Sequence, residues 1–210
     1  MLRILVADDF PLFRRGLKDL LVEGFEAVTI GEAGTVNEML ELARAQEWDA
    51  VIMDISMPGR CGPEAVRDLK REHPSLPVMI LSMHPEEQYA VRMFKAGADG
   101  YLTKRTYPTE LVLALKKVLA GGEYVSPSVG EQLALDAKST TNGQPHESLS
   151  DREYQVLSLI ATGKTRMEIA EELSVSVTTV NTYRARILDK LRVKNNVELT
   201  RFALQHNLVK

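Results

Sequence analysis

Five short apolar runs, at residues 2–7, 27–31, 50–53, 78–81 and 100–102, punctuate the first 125 positions. Between and after them lie segments at 11–22, 36–46, 63–72, 86–96 and 108–120 whose apolar residues recur at helical spacing. Short strands alternating with helices predict βα repeats and a parallel sheet. The expected class is an α/β, doubly wound, flavodoxin-like domain with a five-stranded parallel sheet over 1–125. After Ser126 the pattern changes. Lys138-Ser139-Thr140-Thr141-Asn142-Gly143-Gln144-Pro145 has no apolar residue, too little to bury for a fixed conformation, so 126–147 reads as an interdomain linker. Beyond it, Ser150-Asp151-Arg152-Glu153 and Thr165-Arg166-Met167-Glu168 each offer a hydroxyl and a carboxylate to the free amides of a helix start. Residues 148–210 are therefore expected to be a small all-α domain. Within it a short helix over 167–173, a turn at 174–176 and a longer helix through Leu191 have helix-turn-helix punctuation.

Composition sharpens this division. A chain of 210 residues with 44% hydrophobic content has enough apolar material for two small cores. No stretch of about 18 uninterrupted apolar residues occurs, and Asp8-Asp9 follow the first apolar run too soon for a signal peptide, so a soluble, cytoplasmic protein with no membrane partner is expected. Cys61 has no second cysteine for a disulfide or a zinc site, which fits a reducing compartment. The formal charge of −3 divides as −4 over 1–125, −2 over 126–147 and +3 over 148–210. Between 181 and 195, Arg184, Arg186, Lys190, Arg192 and Lys194 face only Asp189, a cluster suited to a polyanion or to a solvated helix face.

The chemistry gathers where the apolar runs end. In an open parallel sheet, ligands bind beyond the carboxyl ends of the strands. Those ends carry Asp8-Asp9, Asp54, Ser82 and Lys104, which are expected to converge on one rim. Three crowded carboxylates repel one another and make a natural site for Mg2+, an ion that prefers oxygen ligands. Asp54 can then act as a nucleophile towards a phosphoryl group, with Lys104 pairing one phosphoryl oxygen and the Ser82 hydroxyl donating to another. Singly, Asp9 could cap a helix, Asp54 serve a turn, and Ser82 and Lys104 be surface groups; their joint occurrence argues otherwise.

Residues 1–121 resemble the receiver domain of two-component signalling, through Asp8-Asp9, Asp54-Ile55-Ser56-Met57-Pro58, Gly62, Ser82, Ala96-Gly97-Ala98 and Tyr101-Leu102-Thr103-Lys104. The resemblance implies that Asp54 is the phosphoacceptor of a sensor histidine kinase. It implies too that Asp9 ligates the metal directly, Asp8 through water, and that the Ser56 carbonyl completes the sphere. Ser82 and Tyr101 would form a switch pair, the aromatic turning into space opened when the phosphoryl group draws in the Ser82 hydroxyl. Where many receivers have Pro after the lysine, this chain has Arg105-Thr106-Tyr107 before Pro108.

On a helical wheel, Val180, Ile187 and Leu191 share one face of the longer tail helix and Thr178, Asn181, Thr182 and Ala185 the opposite one, small and polar enough for a major groove. Asn181 is expected to meet base edges, Thr182 and Ala185 thymine methyls or close backbone, and Arg186 and Lys190 phosphates. Residues 148–208 resemble the LuxR-type domain of NarL/FixJ regulators through Leu149-Ser150-Asp151-Arg152-Glu153, Gly163-Lys164, Glu168-Ile169-Ala170, Leu173, Thr179-Val180, Ile187 and Lys190-Leu191. Many members have Lys where this chain has Asn181 and His where it has Tyr183, whose hydroxyl can still reach a phosphate. The combined resemblance implies a transcription regulator, not an enzyme, in which phosphorylation of Asp54 controls dimerisation and binding to promoter DNA. RNA polymerase is a further expected partner. Two other readings use part of the same pattern. A small Mg2+-dependent phosphatase would need a second acid/base carboxylate beside Asp54 and would leave the basic tail without purpose. A receiver kept only as an interaction module would not need an intact acidic site.

Overall fold

The computed structural model describes residues 1–57, 62–105, 108–138, 145–206 and 208–209. They form two compact units, Met1–Gln132 and Leu133–Lys210. The expected residues Pro58, Cys61, Thr106 and Tyr107 and the linker stretch 139–144 lie outside the described residues.

In the first unit, β1 (Leu2–Ala7), β2 (Val28–Ala33), β3 (Ala50–Met53), β4 (Val78–Ser82) and β5 (Gly100–Thr103) alternate with α1 (Pro11–Gly24), α2 (Val36–Ala45), α3 (Gly62–Glu72), α4 (Glu86–Ala96) and α5 (Pro108–Leu119). The strands form one parallel sheet in the order β2-β1-β3-β4-β5. Every residue of β3 and β4 is buried, as expected of strands covered by helices on both faces. One core cluster runs from Ile4 and Val6 through Ile52, Met79 and Leu81 to Leu17, Leu21, Leu111 and Leu115 on α1 and α5. β2 begins at Val28 and runs to Ala33, two residues further than its apolar run; Glu32 extends the ladder at an edge where one side of the strand meets solvent. At the other edge, Tyr124 pairs with β5, its amide donating to Asp99 O at 2.8 Å and its carbonyl accepting from Tyr101 N at 3.3 Å.

Gly31 shows how tightly the β2 edge is packed. A Cβ there would overlap the indole of Trp48, whose Nε1 donates to Leu42 O at 2.9 Å, a bond that withdrawal of the ring would strain. Gly31→Ala is expected to destabilise the first unit by about 2 kcal/mol, read as a lowered urea midpoint with Trp48 fluorescence as the probe. An unchanged midpoint would show that the ring yields.

The described residues of the segment read as a linker include helical structure. Residues Pro127–Lys138 form helix α6, and Pro145–Ser148 form a 3-10 turn. Ser126 Oγ accepts from Val129 N, Pro127 stands at the first helical position, and Val129 is buried. The run Gln132-Leu133-Ala134-Leu135 also has high helix propensity. The polarity of 126–147 points to a linker, whereas cap and propensity make its first half a helix.

The second unit contains α7 (Asp151–Ala161), α8 (Arg166–Glu172), α9 (Val177–Leu191) and α10 (Asn196–Gln205). Both capping boxes form, at Ser150/Glu153 and Thr165/Glu168, and Ser176 and Asn195 cap α9 and α10. The turn after α8 passes through Ser174 at φ 52°, a left-handed residue. Val156, Leu157, Ile169, Val180, Ile187, Leu199 and Ala203 are buried.

Candidate functional site

Because the strands are parallel, their carboxyl ends share one rim, and Ala7 and Met53 are register partners. The residues that follow them, Asp8 and Asp54, are therefore neighbours, and Asp54 N donates to Ala7 O at 2.9 Å. The carboxylates of Asp8, Asp9 and Asp54 approach so that one oxygen of each lies within 4.8 Å of the others. Asp8 and Asp54 are buried, at 2% and 4% exposure. Phe10 N donates to Asp8 Oδ1 and Ser56 N to Asp54 Oδ1, whereas the buried Asp9 Oδ1 has no hydrogen-bond partner among the described residues.

Lys104 closes the cluster. Its amide is anchored on Ser82 O at 2.7 Å, and its Nζ lies 2.5 Å from Asp8 Oδ2 and 2.8 Å from Asp54 Oδ2. Burial pushes the Asp8 carboxyl above its ordinary value, the Lys104 bonds only partly opposing it. Burial acts on Lys104 in the other sense, but hydrogen bonds to Asp54 and Asp8 outweigh it and hold the ammonium charged. The Phe13 ring lies 4.3 Å from Nζ, a cation–π contact. Beside the site an apolar cavity of about 680 Å³ opens between α1 and α5, lined by Phe10, Phe13, Leu17, Leu81 and Leu111 with Asp54 and Lys104 among its polar groups.

Ser82 is wholly buried at the end of β4, and its Oγ accepts from His84 N at 3.2 Å. Tyr101 is also buried, and its hydroxyl donates to His84 O at 3.0 Å. Burial raises the phenol's pKa, against a hydrogen bond with Ser82. The aromatic ring thus lies in the interior.

In the tail, Thr178, Asn181, Thr182, Ala185 and Arg186 are exposed on α9, opposite the buried Val180, Ile187 and Leu191. Thr179 and Tyr183 are half-buried, and the Thr179 hydroxyl is 2.8 Å from that of Ser176 at the helix start. Arg184 turns to Asn196 at 2.6 Å. Lys190 is exposed but already partnered: its Nζ donates to Glu153 Oε2 at 2.7 Å and to Ser148 O at 3.0 Å.

Residues 4–116 match the family model described as response regulator receiver domain, and residues 147–203 that described as bacterial regulatory proteins, luxR family. The chain belongs to the response regulators. It is 39% identical to the response regulator GacA of Pseudomonas aeruginosa, over 100% of this chain and 98% of that protein. It is 35% identical to the response regulator UvrY of Escherichia coli K12, over 99% and 96%. Among solved structures, that of RcsB from Salmonella enterica serovar Typhimurium bound to promoter rprA in the presence of the phosphomimetic BeF3− has a TM-score of 0.66 at 27% identity, covering 96% of this chain and 97% of that one.

In this response regulator the Glu153–Lys190 tie joins the start of α7 to the end of α9. Burial raises the Glu153 carboxyl but the Lys190 bond and the cap amides outweigh it, so its pKa falls below the ordinary 4.5. A depressed folded pKa contributes stability above pH 4.5 that is lost as pH falls through the folded value. Glu153→Gln, which keeps a capping side chain, is expected to destabilise the tail by about 1 kcal/mol at neutral pH, since Lys190 is partly exposed. The difference should shrink in acid melts; equal melting at neutral pH would mean the tie contributes nothing. Sequence reading missed this tie, Phe13 and the cavity. Only Phe10 and Phe13, three residues apart just after Asp8-Asp9, offered a signal for the last two.

Proposed function

We propose that residues 1–125 of this regulator accept a phosphoryl group on Asp54 and thereby control dimerisation and promoter binding by residues 148–210, with 126–147 connecting them. The observation that carries this is the Asp8/Asp9/Asp54 cluster, with Asp8 and Asp54 buried and Lys104 Nζ between their carboxylates. An Asp54 oxygen attacks phosphorus, the P–N bond to the histidine of a sensor kinase breaks, and its electron pair returns to the imidazole. Water later hydrolyses the acyl phosphate, so the only enzyme-like activity is self-directed phosphoryl transfer and autodephosphorylation. Lys104, freed from the carboxylates it now bridges, pairs with a phosphoryl oxygen, and Ser82 donates to another.

The donor set fits Mg2+: three clustered carboxylates, one of them with an unpartnered buried oxygen. Asp8, Asp9, Asp54 and the Ser56 carbonyl would hold the ion, which neutralises charge on the transferring group. Tyr101, inside against His84 O, is one arm of a two-position switch whose inner position phosphorylation favours. The RcsB–promoter complex supports double-stranded promoter DNA as the ligand of the tail. Thr178, Thr179, Asn181, Thr182, Tyr183, Ala185 and Arg186 would read it, with Lys190 nearby, and RNA polymerase would be a further partner at the promoter. No described helix is long and apolar enough to cross a membrane, and the cytoplasm is the proposed location. The test is incubation of the full chain with Mg2+ and acetyl phosphate, followed by mass measurement and promoter titration. Uptake of one phosphoryl group with tighter binding is expected; no uptake, or uptake with unchanged affinity, sinks the proposal.

A further inference from the structure

Helix α8 begins at Arg166, and its guanidinium reaches across to α9, where Nη1 donates to Asn181 Oδ1 at 3.2 Å. A guanidinium has donors and no acceptor, so the amide must turn its oxygen towards Arg166 and its NH2 group away. Both side chains are exposed. The hydroxyls beside them are already engaged: Thr182 donates to Thr178 O at 3.0 Å, and Thr179 and Ser176 share a hydrogen bond.

We propose that Arg166 is a positioning residue that sets base preference, by holding the Asn181 amide so that this patch of α9 presents donors and selects guanine over adenine. The inference rests on the reading of α9 as the helix that enters the major groove. There guanine offers two acceptors, O6 and N7, whereas adenine pairs one acceptor, N7, with the N6 amino donor. A free asparagine suits adenine because it offers an oxygen and an NH2 together. With its oxygen drawn to a cation and the remaining guanidinium N–H groups alongside, the adenine amino group meets donors and the guanine edge meets partners.

The experiment is selection from a randomised double-stranded DNA pool by the full chain with acetyl phosphate and Mg2+, comparing wild type with Arg166→Ala, Arg166→Lys and Asn181→Ala. Wild type should enrich guanine at one position per half-site that Asn181→Ala relaxes. Arg166→Ala should lower the guanine-over-adenine ratio there by about tenfold and leave other positions unchanged, while Arg166→Lys, which keeps donor-only chemistry, should retain it. If Arg166→Ala weakens all sequences equally, Arg166 is a phosphate contact and the proposal fails; adenine at the Asn181-sensitive position also overturns it. Absence of any enriched motif, or a motif indifferent to Asn181→Ala, instead overturns the reading of α9 at this residue and the inference with it.

Discussion

Asp54→Asn is expected to abolish phosphoryl uptake from acetyl phosphate while leaving the fold intact. The amide keeps the shape of the carboxyl group and an oxygen for Ser56 N, but has no anionic oxygen to attack phosphorus. Lys104 retains Asp8 as partner, so no buried ammonium is left unpaired. The consequence at the promoter is a loss of response rather than of binding. If phosphorylation couples to DNA affinity with about 1.4 kcal/mol, wild type gains about tenfold on treatment and the variant gains nothing. The paired readouts are intact mass and promoter titration with and without donor. A variant that still tightens on DNA when acetyl phosphate is added would move the acceptor elsewhere.

Lys104→Met should have the largest effect on stability. The two carboxylates it bridges are almost completely buried, and removing the shared cation leaves them facing each other and Asp9 without compensation. Breaking such a buried arrangement from one side costs about 3 kcal/mol. The pH dependence has a definite sign. Asp8 already titrates above its ordinary 3.8, so the folded state holds that proton more tightly than the unfolded chain. Stability on this account is greatest below 3.8 and is lost as pH rises through the folded pKa. Without Lys104 the folded pKa climbs further, so the gap between variant and wild type should widen from about pH 4 to about pH 7. Added Mg2+ should narrow it at neutral pH by supplying the missing positive charge. Urea titrations across that range check this, and a gap that is constant with pH would show that the carboxylates do not carry the cost.

The rim residues were legible because a parallel sheet puts every strand's carboxyl end on the same side: once Leu2–Ala7 and Ala50–Met53 are strands, Asp8 and Asp54 must be neighbours. Ser82 and Lys104 follow by the same logic, and the Lys104 amide on Ser82 O is the bond that logic requires. Side-chain partnerships across elements were not legible in this way. A helical wheel puts Lys190 on a face of α9 but cannot see that Glu153, capping α7, lies beneath it. The Arg166–Asn181 contact likewise depends on how α8 crosses α9. Tyr101 could be assigned to a switch, but its resting place depends on where His84 O points. Helix α6 was hidden for a different reason: solvation of its polar residues argued for a linker, and the local cap at Ser126 and the Leu-Ala run decided for a helix.

The pairing of Tyr124 with β5 has a bearing on self-association. A strand at the margin of a sheet leaves unsatisfied amides and carbonyls that recruit other chains. Tyr124 covers the start of β5, so that margin is partly sealed by the protein's own backbone. The opposite margin, β2, has no such cover among the described residues, and there the protection is electrostatic: Glu32 is exposed and held by Arg14 and Lys18. One side of the sheet is thus guarded against cross-strand aggregation by geometry and the other by charge, and only the second guard weakens in high salt.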